Sequence, residues 1–418
     1  MTIEDFFLSS EYTKICTMCG SDGTIESGGI DYPGRGFICK ACVEKVVGLA
    51  NKRRNNDNKK EQEKESAEHN SLESLFVPTP AYVYKQLSKY VVGQEDAKKV
   101  LSVAAYNHYK RFELNEPGIS KSNVLLIGPT GAGKTLLVNT LAKALTVPCI
   151  SLSATSLTED GYIGNSVSKC IDLLLDKAGG DVEKAEKGIV FIDEIDKLAE
   201  TGRSAGGNYV VGRGGVQQAL LTLMEGSVIE LRSGGRMVQV DTSNILFICG
   251  GAFSGIERIV EKRLRSGGSI GFSGNIVDKE VIDINAMEYI TTQDLKEFGM
   301  MREFLGRVPS VAVLERLTVS FLKKALSEPQ NNLIWQYQKL FEFDGIKLEV
   351  TDDGLEEIAA QAYNEKTGCR GLRKICESLF LDMMCELPGT DCEKVVYDRD
   401  CVRNGTRPCI IRKIEAKG

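Results

Sequence analysis

Histidine and tryptophan are nearly absent: 418 residues hold two histidines, His69 and His108, and a single tryptophan. Two histidines leave little room for Ser-His-Asp or Cys-His chemistry, and no such nucleophile arrangement is found, so peptide-bond cleavage by this chain is not expected. Long apolar runs are missing too, and nothing reaches the roughly 20 residues of a membrane span. Positive charge is not in excess. With 52 Lys+Arg against 58 Asp+Glu the formal net charge is −6, which gives no global electrostatic case for nucleic acid or an anionic membrane. The N-terminus, MTIEDFFLSSEY, is acidic and lacks the basic-then-apolar layout of a secretory signal, so a cytosolic location is expected. No internal repeat is found.

What remains is ordinary globular composition, 42% hydrophobic and 26% charged, with enough length for two to four domains. Residues 1–48 form a Cys- and Gly-rich unit. Residues 49–72 are read as a flexible linker, because NKRRNNDNKKEQEKESAEHN holds no large apolar residue; a short helical handle is the alternative. From residue 73 to 312 the texture is mixed. NVLLIG (123–128), GIVFID (188–193) and NILFIC (244–249) read as short buried strands between helix-patterned segments. Such alternation predicts an α/β fold, a parallel sheet with helices on both faces. Residues 313–418 turn helical, then close with KVVYD and PCIIRK, which predicts a smaller α+β domain.

The strongest motif is GPTGAGKT: Gly128, Pro129, Thr130, Gly131, Ala132, Gly133, Lys134 and Thr135, with Leu136 following on the helix. It fits G-x-x-x-x-G-K-[ST] between a strand and a helix, where backbone N–H groups cradle phosphates. Lys134 is assigned to the β- and γ-phosphates and Thr135 to Mg²⁺. In GIVFIDEID an apolar strand delivers Asp193, read as holding Mg²⁺ through water, and Glu194, read as the base that orients and deprotonates the attacking water. Together the two motifs predict ATP hydrolysis. A second constellation is Cys16-x₂-Cys19 and Cys39-x₂-Cys42, with nineteen residues between the pairs. That spacing suits a closed, structural Cys₄ site for Zn²⁺, with iron as the other metal of the same geometry. The other nine of the thirteen cysteines show no ligand spacing. Arg307 and Arg370, on spacing alone, read as surface or ion-pair arginines.

These pieces occur in a recognisable order. The Cys₄ unit, YVVGQEDAKKVLSVAAYNHYKR, GPTGAGKT, GYIG, FIDEIDK, GVQQALL, VDTSNILFICGGAF, SIGF, EFLGRVP and KTGCRGLR together resemble the ClpX family of AAA+ unfoldases, over about residues 13–412. The resemblance implies a homohexamer that unfolds tagged or unfolded proteins and feeds a ClpP-type peptidase. It implies that Val91, Val92 and Gln94 contact adenine, that Arg307 is an arginine finger acting on the neighbouring subunit's ATP, and that Arg370 is the sensor-2 arginine. It implies that Tyr162 and Ile163 of GYIG line the central pore and grip polypeptide. Ile270, Gly271 and Phe272 become the loop that docks on the peptidase, and the zinc unit the recruiter of adaptors or substrates.

The sequence departs from the family pattern in GGRMVQVDTS (234–243), which lacks the usual longer Arg-Lys-His loop and keeps only Arg236. The usual acidic residue before GVQQ is replaced by Gly214, beside the basic Arg213. The Gly-rich stretch AETGRSAGGNYVVGRGG before GVQQ fits a lower pore loop. The family's usual tag recognition is therefore not carried over, and a paralogue with altered substrates fits these departures. Two rival functions stay in view: a remodeller that works without a peptidase, and a nucleic-acid motor with a zinc ribbon, which no basic stripe supports.

Overall fold

The structure is a computed structural model, which describes residues 14–23, 29–32, 36–45, 78–114, 119, 121–158, 165–199, 213–233, 236–266 and 286–413. The linker, the GYIG segment with Tyr162 and Ile163, residues 200–212 and the Ile270–Phe272 segment lie outside the described residues.

Five short strands make the central sheet: β1 Val124–Ile127, β2 Cys149–Ser153, β3 Ile189–Asp193, β4 Leu246–Gly251 and β5 Ser310–Val313. They pair in the order β5-β1-β4-β3-β2, and every pairing is parallel. Because side chains alternate across a strand, each strand feeds two cores. Leu125, Ile127, Val190, Ile192, Phe247 and Cys249 join one hydrophobic cluster, while Val124, Leu126, Ile189, Phe191, Leu246 and Ile248 join the other. Helices α1 (Pro80–Tyr90), α2 (Glu95–Leu114) and α3 (Lys134–Leu145) bury apolar residues in the second cluster. Helix α4 (Arg213–Glu225) supplies Val216, Leu220, Leu223 and Met224 to the first. Helix α5 (Arg302–Arg307) adds Phe304 and Leu305 there.

The two edge strands, β2 and β5, are not evident in the sequence. CISLS is half polar and only partly buried, and SVAV follows directly on Pro309, so neither makes the continuous apolar run of the central strands.

A separate cluster collects residues 317 to 410. Helices α6 (Leu333–Phe343) and α7 (Cys369–Glu386) pack there with a three-stranded sheet of β6 (Lys347–Val350), β7 (Cys392–Tyr397) and β8 (Cys409–Arg412). This is the α+β layout expected, with β6 as the strand that KLEV hid among charged residues. The 14–45 region is a third unit, two small antiparallel pairs around Phe37.

The central and C-terminal cores meet at the loop after β1. Gly131, at φ +81°, takes a backbone conformation that side chains rarely adopt, and a Cβ there would lie 2.9 Å from the Thr367 carbonyl oxygen. The Cys369 N–H donates to the Gly131 carbonyl at 3.3 Å. Gly131→Ala combines backbone strain of about 1–3 kcal/mol with a forced separation of the two cores. Calorimetric titration with ATP is expected to register at least about a tenfold loss of affinity, since 1.4 kcal/mol is one decade. Unchanged affinity would mean that this close approach does not shape the nucleotide site.

Candidate functional site

Strand β1 ends where the phosphate-type loop begins. Gly133, at φ +95°, caps α3, and Lys134 opens it. The Lys134 side chain is buried, and its Nζ donates to the carbonyls of Gly128 at 2.7 Å and Pro129 at 3.2 Å. Burial pushes the Lys134 pKa down, and the negative charges of Asp193 and Asp196 oppose that.

Those acids lie together at the C-terminal end of β3. Asp193 closes β3, and its Oδ1 accepts the N–H of Glu194 at 2.8 Å. Glu194 sits at φ +59° and starts a 3₁₀ turn, Ile195–Leu198. Its Oε2 accepts from the hydroxyl of Ser153 at 2.7 Å and more weakly from Thr155 at 3.4 Å. Ser153 ends β2 and Thr155 lies in the 3₁₀ turn after it, Ala154–Ser156, and no sequence signal marks them. Asp196 is buried and accepts the Ala252 N–H at 3.2 Å, which ties the turn to the end of β4. Strand β4 finishes on Gly250 and Gly251. A Cβ on Gly250 would come within 3.1 Å of Asp193 Oδ1, and one on Gly251 within 2.9 Å of Asp196 Oδ1, so bare backbone leaves room for the carboxylates.

A cleft of about 1070 Å³ opens between the central and C-terminal cores. Residues Thr130 to Leu136 line one wall, including Gly131, Ala132, Gly133, Lys134 and Thr135; Asp193, Glu194 and Asp196 line its floor. Val91 and Val92 line it from the segment after α1, and Arg370 and Arg373 reach it from α7. Tyr82, Tyr90, Phe321 and Leu333 give it apolar surface; in the sequence they read only as helix-spaced core residues. The cleft has the size and the mixed lining of a nucleotide site.

Three residues expected to touch this chain's own nucleotide, Gly128, Pro129 and Gln94, fall elsewhere. Gly128 and Pro129 are not in the lining and instead present carbonyls to Lys134. Gln94 is fully buried, and its amide pairs with the backbone of Glu315, donating to the carbonyl at 3.5 Å and accepting the N–H at 2.7 Å. It braces the segment that carries Val91 and Val92 rather than facing the cleft. Arg307 is also absent from the lining. Its guanidinium donates twice to Glu225 Oε1, at 3.0 and 2.7 Å. Its carbonyl accepts from Asn123, just before β1, so Arg307 stands at the opposite end of that strand from the phosphate-type loop. The separation is a strand length, roughly 13 Å.

The cysteines come together as the spacing predicts. The Sγ atoms of Cys16, Cys19, Cys39 and Cys42 all lie within 4.8 Å of one another. Cys19 and Cys39 Sγ are 3.6 Å apart, near the roughly 3.8 Å edge of a tetrahedron with 2.3 Å zinc–sulfur bonds. The Cys39 N–H donates to Cys16 Sγ at 3.2 Å, which orients that sulfur inward. The donor set fits Zn²⁺.

The comparisons with known proteins agree with this geometry. Residues 119–311 match the AAA domain (Cdc48 subfamily) model, and residues 330–390 match the C-terminal, D2-small domain, of ClpB protein. The chain is 42% identical over 394 residues to the ATP-dependent Clp protease ATP-binding subunit ClpX of Bacteroides thetaiotaomicron, covering 91% of this chain and 92% of that protein. It is 41% identical to the ClpX proteins of two Bacteroides fragilis strains, over 92% of this chain and 93% of each. The chain belongs to the ClpX family. It is an AAA+ ATPase, an ATP-dependent unfoldase of the Clp class, and AAA+ ATPases work on ATP with Mg²⁺. Among the described residues no helix is long and apolar enough to cross a membrane.

The cysteine geometry predicts one zinc per chain by elemental analysis. Cys39→Ser is expected to release the metal and unfold the 14–45 unit while ATP turnover stays within about twofold, because structural zinc stabilises only the fold that holds it. Full zinc retention in that variant would contradict the four-thiolate site.

Proposed function

We propose that this chain hydrolyses ATP in the cleft between its central and C-terminal cores, and uses the cycle to pull protein substrates through a homohexameric ring toward a ClpP-type peptidase. The observation that carries this reading is the division of the nucleotide chemistry. The loop, Lys134, the acid pair and Arg370 converge on one cleft, whereas Arg307 stands a strand length away, facing outward. An arginine so placed cannot serve its own cleft, which supports its action on a neighbour's ATP.

In this mechanism Lys134 and the loop N–H groups hold the phosphates. Thr135 and Asp193 would hold Mg²⁺, which would supply neutralisation of the phosphate charge. Glu194 takes the proton of the attacking water as its oxygen bonds to the γ-phosphorus, and ADP departs with the bridging oxygen. Arg307 of the adjacent subunit stabilises the transferring group. Arg370 reports the change to the C-terminal core, which moves as a body. Tyr162 and Ile163 then carry polypeptide along the pore; an aromatic ring offers a large gripping surface without regard to sequence. Ile270, Gly271 and Phe272 dock on the peptidase. The zinc unit, residues 1–48, recruits adaptors or substrates on the 49–72 linker, ahead of the 73–312 and 313–418 domains. The working compartment in this reading is the cytoplasm.

A second reading, a remodeller that works without a peptidase and chooses other substrates, is favoured by one feature. The strands Val228–Ser233 and Arg236–Asp241 pair to their ends, with Ser233 opposite Arg236, so the hairpin closes over two residues. A long tag-reading loop does not fit there.

The test is ATP-dependent loss of fluorescence from stably folded reporters with different terminal tags, with and without a ClpP peptidase. Tyr162→Ala is expected to keep ATP hydrolysis within a few-fold and lose reporter unfolding; normal unfolding would refute its role. Phe272→Ala is expected to unfold reporters yet no longer co-purify with the peptidase. Retained co-purification would move the docking assignment elsewhere, and a wild-type chain that unfolds reporters but never binds the peptidase would favour the second reading.

A further inference from the structure

Gln217 lies in GVQQ, a run that carries no chemistry in the reading above. It sits on α4 and is 0% exposed. A buried amide must satisfy both of its ends, and this one does so by spanning two helix termini. Its Nε2 donates to the carbonyl of Leu198 at 2.7 Å. Its Oε1 accepts the N–H of Met301 at 3.0 Å. The orientation is chemically required, because a carbonyl can only accept and a backbone N–H can only donate.

Each contact is a cap. Leu198 ends the 3₁₀ turn that Glu194 begins, and terminal helix carbonyls have no partner within the helix. Met301 is the N-cap of α5, where its own side chain makes no capping bond. Gln217 receives the N-cap N–H as the third residue of a capping box would, but from a different helix. Helix α5 ends on Arg307. Farther along α4, its last residue, Glu225, holds the Arg307 guanidinium by two hydrogen bonds. One rigid helix therefore touches the turn that carries the hydrolytic base and both ends of the helix that carries the outward arginine.

We propose that Gln217 is a positioning residue that couples this chain's nucleotide cleft to Arg307. A shift of the Glu194 turn is passed through the Gln217 amide to the start of α5. The exposed Glu225–Arg307 pair, 44% and 51% accessible, is the weak latch at its end. Exposed ion pairs are cheap to break. A polyphosphate on the adjacent subunit therefore outcompetes Glu225 when α5 is correctly set. This deepens the proposed function and rests on Arg307 acting in trans.

Mixed assemblies of the full chain test both. Arg307→Ala subunits keep an intact cleft but offer no arginine, and Glu194→Gln subunits offer the arginine but do not hydrolyse. Neither turns over ATP alone, and an equal mixture does. Gln217→Leu is then placed only in the Glu194→Gln subunits, whose own hydrolysis is already silent. The proposal predicts that turnover by the mixture falls about tenfold to a hundredfold, the cost of a misplaced catalytic group. The fall lies in kcat, with KM for ATP and assembly by sedimentation unchanged. Undiminished turnover would overturn the proposal and leave the trans reading standing. No turnover with Gln217 intact would overturn the trans reading, and the proposal with it. If Gln217→Leu subunits do not assemble, Gln217→Glu takes their place. It keeps the acceptor for Met301 and loses the donor to Leu198, so the same fall in kcat is predicted and its absence is equally decisive.

Discussion

The rest of the structure depends on how closely the loop after β1 approaches the start of α7. At Gly131 the two cores come within backbone distance, joined by the Cys369 N–H to its carbonyl. A second bridge, from the Gln330 N–H to the Lys89 carbonyl at 2.6 Å, lies between the end of α1 and the C-terminal core. These two main-chain contacts leave the cleft between them. Any group bound in it touches both cores, so its loss or hydrolysis is felt as a change in their relation rather than as a local event. That is the physical requirement for turning phosphate chemistry into movement.

Within the central core, the strand order assigns the chemistry. The loop follows β1 and the acid pair follows β3, with β4 between them. Two strand spacings, roughly 9–10 Å, separate the loop from the acids. The gap is kept clear by the side-chain-free end of β4, while the Lys134 ammonium is held on the carbonyls of its own loop. Ser153 and Thr155 hold the Glu194 carboxylate at the far edge. All these groups lie at the C-terminal ends of the strands, where open parallel sheets bind ligands. Arg307 lies at the N-terminal end, where its carbonyl accepts from Asn123, away from the cleft.

Much of this could be read from the sequence, and the parts that could not share a cause. The three central strands were legible because burial on both faces makes them continuous apolar runs, as in VLLI and IVFID. The phosphate loop and the four cysteines were legible because local spacing alone determines their chemistry. The edge strands CISLS and SVAV were not, since half-covered strands lose that signature. The resemblance implies an adenine contact for Gln94, but its partner in the fold, Glu315, is 221 residues away. Gln217, Ser153 and Glu225 were silent for the same reason: each works through a partner far along the chain, and nothing in its own neighbourhood announces it. The roles proposed for Arg307 and Arg370 come only through resemblance; the fold places Arg370 in the cleft lining and Arg307 outside it.

If nucleotide in the cleft governs how the two cores are set, the distance between a probe on the exposed face of α2 and one on α6 depends on it, and pulsed electron resonance reads that distance. On Glu194→Gln protein without nucleotide, with ATP and with ADP, three distinct distance distributions are expected, with ATP giving the narrowest. Identical distributions in all three would contradict that dependence, because a cleft whose walls do not respond to its ligand cannot drive a motor.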